Sequence, residues 1–99
     1  MNNAQLRDTP YATELKHGSF IFPSGVEGRI ERLRFKTGAE AGSEGIRFSW
    51  WKEGRMVPRP LDATESQLLD LFKNSLEQNV FSRDFKTQLL HLLGAVENR

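Results

Sequence analysis

The sequence predicts an α+β domain: a three- or four-stranded antiparallel sheet, then a C-terminal two-helix hairpin packed on one face. Three observations lead there. Between residues 19 and 57, short aromatic and β-branched runs alternate with glycine and proline turns. From residue 62 onward, leucine and phenylalanine recur at helical spacing. The 99 residues are one domain's worth of chain, and with no cysteine the core holds without covalent staples. Residues 1–16 show no apolar period and read as a flexible N-terminal arm, which leaves 17–99 as a single α+β domain.

Each element has a local reason. "SFIF" (19–22) reads as a strand ended by "PSG". In "GRIERLRFK" (28–36), Leu33 and Phe35 share one face, and Arg32, Arg34 and Lys36 the other. Ile30 falls on the basic parity, so a bulge or an early strand start is expected there. A long Gly/Ala/Glu loop (37–45) follows. "IRFSWWK" (46–52) alternates again, with Ile46, Phe48 and Trp50 on one side and Arg47, Ser49 and Trp51 on the other. Gly54 suits a tight turn into "RMVPRP", whose prolines confine it to a sheet edge.

Two helices complete the chain. Thr64 and Gln67 have the spacing of a capping box, and Leu68, Leu69, Phe72 and Leu76 form the apolar stripe that follows. Ser82 caps a second helix from Arg83, with Phe85, Leu89, Leu92, Leu93 and Val96 as its stripe. Leu71 and Leu90 fall at stripe edges and are expected to be exposed.

The neighbouring indoles are the feature that points to function. Pairing Phe35 with Phe48 and Leu33 with Trp50 places Trp50 in the core beneath the helices, with Phe72 and Phe85. Across the Gly54 turn, Trp51 should meet Met56. Trp51 then looks outward on a face predicted to carry Arg32, Arg34, Lys36, Arg47 and Met56. Trp, Met and Arg are enriched at the centres of protein interfaces. The expected function is a small non-enzymatic binding or accessory module that engages a protein partner or a second copy through this face. The structural alternative is a cation–π contact of Trp51 with its own arginines, or a cover supplied by the arm through Tyr11 or Leu15.

Nucleic acid is the other candidate partner. Residues 16–59 hold nine basic and five acidic side chains, against four and six in 60–99. That asymmetry is modest for a nucleic-acid footprint. The strand-strand-strand-helix order over 28–78 is similar to that of modules that read DNA through an arginine- and tryptophan-bearing sheet, a resemblance of topology without a shared motif. Chemistry finds little support. His17 is expected in a loop and His91 on the polar side of a helix. There is no nucleophile elbow, no phosphate loop and no His or Cys pair at metal-ligand spacing, so no catalytic residue, metal or cofactor is predicted. The N-terminus lacks an apolar run and no window is long enough to span a bilayer, so a cytoplasmic protein without a membrane partner is expected.

Overall fold

A computed structural model describes residues 6–97. Strands β1 (Ala12–Ile21), β2 (Glu27–Phe35), β3 (Glu44–Lys52) and β4 (Arg55–Met56) precede helices α1 (Glu65–Glu77) and α2 (Arg83–Glu97). The strands form one antiparallel sheet in sequence order, giving the predicted α+β class. The first strand starts earlier than "SFIF" suggests and takes in Ala12–Lys16 of the segment read as an arm; His17 lies on it, not in a loop. The irregularity foreseen at Ile30 occurs instead in β1, where the register shifts between Glu14 and Lys16.

The turns follow local chemistry. Glu53 and Gly54 both have positive φ, 52° and 79°, as a two-residue hairpin of this type requires. Trp51 pairs with Met56 and the Val57 amide donates to the Trp50 carbonyl, as predicted. Pro58, which has no amide to donate, follows at once, so β4 is a short edge strand.

The β2–β3 register differs from expectation. Ile30 lies opposite Phe48, and Leu33 lies opposite Gly45. The displacement is odd in residues, so the two faces of β2 exchange relative to β3. Loop closure is the cause. The Phe35 amide donates to the Ser43 carbonyl, and the Gly42 amide donates back to the Phe35 carbonyl. This closure uses Gly38 and Gly42 at positive φ and brings β3 in sooner than a looser loop would. Ile30 is therefore a core position on the helix side, while Leu33 and Phe35 face the other way. The Phe35 ring lies over Gly45, where a Cβ would come within 2.6–2.7 Å of it.

The core lies between α1 and the first two strands. Ile30, Leu71, Val80 and Phe81 are buried together, with Phe20 and Phe72 packed against them. Each large side chain so buried contributes roughly 1.5–3 kcal/mol. Thr64 Oγ1 accepts from the Gln67 amide and the Gln67 side chain accepts from the Thr64 amide, the predicted capping box. The helix then buries Leu71 and Ser75, while Leu68, Leu69 and Leu76 stay partly bare. Leu71, predicted at the exposed edge, is 0% exposed. Gly18 sets that rotation. A Cβ on Gly18 would stand 2.3–2.7 Å from Ser75 atoms, so the helix seats Ser75 where the strand has no side chain.

The second helix behaves differently. Ser82 caps it as predicted, its Oγ accepting from the Phe85 amide. Gly94 does not end it. Among the described residues, α1 packs on β1 and β2, whereas α2 approaches no strand and not α1. The radius of gyration is 14.7 Å, against about 13 Å for a compact chain of this length.

Candidate functional site

Alternation sends the two indoles to opposite faces of β3, and the new register decides their company. Trp50 is on the helix side with Ile46 and Phe48, half-buried, and its Nε1 donates to the Arg59 carbonyl at 2.6 Å. Among the described residues neither helix packs its backbone on β3, which α1 meets through Phe72 against Phe48; Trp50 is not packed with Phe85 as predicted, and Leu33 is on the other face.

Trp51 is on the opposite face, where Arg29 and Arg7 stack on it. Their guanidinium carbons lie 4.3 and 4.9 Å from the ring centroid. Each such contact is worth roughly 0.5–1 kcal/mol at an exposed site. Trp51 Nε1 donates to Ser49 Oγ. The chain before β1 supplies part of this cover, but through Arg7 rather than Tyr11, which is exposed. It is held by the Arg7 amide donating to Glu14 Oε1, the Glu14 amide donating to the Arg7 carbonyl, and a bridge between Asp8 and Thr13.

The predicted set around Trp51 divides. Arg47 and Met56 share its face. Arg32 and Arg34 share the helix-side face with Ile46 and Phe48, a consequence of the odd register shift. Both donate to Glu44, at 2.7 and 3.1 Å. Lys36 follows the end of β2 and pairs with Asp8. Arg47 donates to Glu31 Oε1 at 2.7 Å. Sequence reasoning missed Arg29, Glu31, Glu14 and His17 on the Trp51 face. The signal was present in Ile30: taken as a core position, it sends Arg29 and Glu31 to the side of Trp51.

These groups form a layer of internally matched charges. His17 lies opposite Glu31 on the neighbouring strand, and its Nδ1 is 2.5 Å from Glu14 Oε2. Burial alone would raise the Glu14 carboxyl. The bonds from His17 and the Arg7 amide, with the nearby positive charge of His17 and Arg29, outweigh burial and hold it below the ordinary carboxylate value. Glu44 is held low by Arg32 and Arg34, and Asp8 by Lys36 and Thr13. Glu31 is fully buried; its Oε2 and Arg7 Nη1 have no hydrogen-bond partner among the described residues. No three carboxylate or imidazole groups among the described residues are placed to hold a metal ion.

Exposed apolar side chains cluster elsewhere. On α2, Phe85, Leu92, Leu93 and Val96 of the predicted stripe are 42–59% exposed, and Leu90 beside them is 69% exposed. On β3, Ile46 and Phe48 are bare, and a groove adjoins them between Trp50, Val57, Leu61 and Leu68. The two regions are joined by an aromatic run. Ring centroids are 6.2 Å apart for Phe48–Phe72, 5.6 Å for Phe72–Phe81 and 5.1 Å for Phe81–Phe85. That run passes through the buried Phe81, so these are two exposed apolar patches that share a core contact, and such patches mark contact sites. No described helix is long and apolar enough to cross a membrane.

Comparison with protein-family models, with curated proteins and with solved structures finds no match to this chain.

Proposed function

We propose that this chain is a small non-enzymatic association module that works by burying the apolar stripe of α2 against a second copy of itself. The observation that carries the reading is the helix itself: 15 residues whose apolar stripe, among the described residues, meets no strand and not α1, and rests on its own chain where Phe85 packs against Phe81. An isolated helix of that length is marginal in water, so its stability comes from a packed face. Phe85, Leu89, Leu92 and Val96 are spaced 4-3-4, one apolar face of the kind a packed helix buries.

The Trp51 face has less support as the working surface. Its indole is stacked by the chain's own arginines, and Arg32, Arg34, Lys36 and Arg47 are each paired with a carboxylate. A nucleic-acid ligand would have to open those pairs, and each phosphate contact would then add close to one unit to the salt slope. Solution mass over a range of concentrations tests the reading. The wild type should pass from one chain to two, and Leu92→Glu, a change at an exposed position, should stay monomeric with the circular dichroism of the dilute, monomeric wild type. A wild type that stays monomeric at every concentration removes the reading.

A further inference from the structure

Neighbouring strands lie about 4.8 Å apart, so a four-stranded sheet is roughly 15 Å wide. A helix with its side chains is about 10–12 Å across. One helix therefore covers about two strands, and α1 covers β1 and β2. Among the described residues no helix packs its backbone over β3. Ile46 and Phe48 are 38% and 53% exposed there, with Phe72 of α1 meeting Phe48 from one side. The same chain carries a second amphipathic helix whose Phe85 rests on Phe81 and whose Leu92, Leu93 and Val96 stay exposed.

The link between the helices keeps these two surfaces apart within one chain. Asn79 takes positive φ, and the Val80 amide donates to the Ser75 carbonyl. Arg32 Nη1 donates to the Val80 carbonyl, and Lys16 Nζ to that of Asn79. Val80 and Phe81 are buried in the core, so α2 leaves in a set direction. Swinging it back over β3 would uproot both side chains.

We infer that α2 of a second copy lies over β3, and that the exchange is reciprocal, each chain's α2 covering the Ile46–Phe48 strip of the other. This rests on the self-association reading and adds the receiving surface. Ten large apolar side chains of α2, of that strip and of the α1 flank (Leu68, Leu69, Leu76) are 38–69% exposed, and a standard interface draws about 800 Å² from each partner. The aromatic run from Phe48 to Phe85 links donor and receiver within one chain, and a two-fold contact makes the same α2–β3 pairing once in each direction.

The chain has no cysteine, so engineered ones report without interference. Chains carrying Phe48→Cys are mixed with chains carrying Leu92→Cys, treated with a short bismaleimide, and the linked peptides identified by mass. Reciprocal exchange predicts the mixed 48–92 product as the main species. It also predicts that Phe48→Arg weakens the dimer at least tenfold, as Leu92→Glu does. A dimer that links only 92 to 92, or that tolerates Phe48→Arg, overturns the exchange and leaves self-association standing. Absence of any dimer overturns both.

Discussion

The two halves of the molecule make opposite use of similar sequence. β1, β2 and α1 enclose a core in which Ile30 and Leu71 are fully buried. β3, β4 and α2 carry as many large apolar side chains, yet Phe48, Leu92 and Leu93 are more than half exposed. The helices are alike in length, capping and amphipathic character. What separates them is the surface beneath. Gly18 offers α1 a flat seat, whereas α2 is directed off the sheet by its own buried link. Amphipathicity therefore says that a helix needs an apolar surface, not that its own chain provides one.

Substitutions should divide along the same line. Gly18→Ala should have the largest effect, since its Cβ would meet Ser75 backbone atoms at 2.4 and 2.7 Å. A loss of roughly 3 kcal/mol is expected from such overpacking, read as a lower urea midpoint at unchanged slope. A loss below about 1 kcal/mol would mean that α1 yields without cost, and the two halves would be less distinct than described. Leu71→Ala ranks with it, at about 2–5 kcal/mol for a fully buried leucine.

A smaller effect concerns acid. Glu14 is held below its ordinary value, so its contribution is fully present above the unfolded value, about 4.3. It is lost as pH falls through the lower folded value. Stability should decline below about pH 4.3, and the decline should be shallower in His17→Ala, which removes the side-chain hydrogen bond that holds the carboxylate ionised. Equal acid slopes in the two proteins would separate Glu14 from the stability of the covered half. Smallest of all is Leu92→Ala in dilute, monomeric protein, within about 0.5 kcal/mol of wild type because the side chain is already exposed. A cost like that of Leu71→Ala under those conditions would show that α2 is packed within its own chain, and the comparison would fail.

Much of the architecture was legible because it depends on neighbours in sequence. The Thr64 capping box, the Ser82 cap, the Gly54 turn, the Trp51–Met56 pair and the early end of β4 at Pro58 all follow from residues within a few positions of one another. So does the opposition of Trp50 and Trp51, since successive side chains on a strand alternate. The predicted site was legible only in part: Trp51, Arg47 and Met56 share a face, while Arg32 and Arg34 do not. That depended on how the loop after Phe35 closes, and a loop of that composition admits more than one length of turn. The odd shift reversed a whole strand.

Taken alone, the sequence determined which segments extend, which coil, where they stop and which side chains share a face within each. Tertiary structure alone decided how those faces were oriented against one another. It set Ile30 rather than Leu33 beneath α1, turned Leu71 inward against a strand that leaves room at Gly18, and carried α2 away from the sheet. The reason is range: hydrogen bonding and sterics between near neighbours settle the first, while the second depends on contacts between residues as far apart as Gly18 and Ser75.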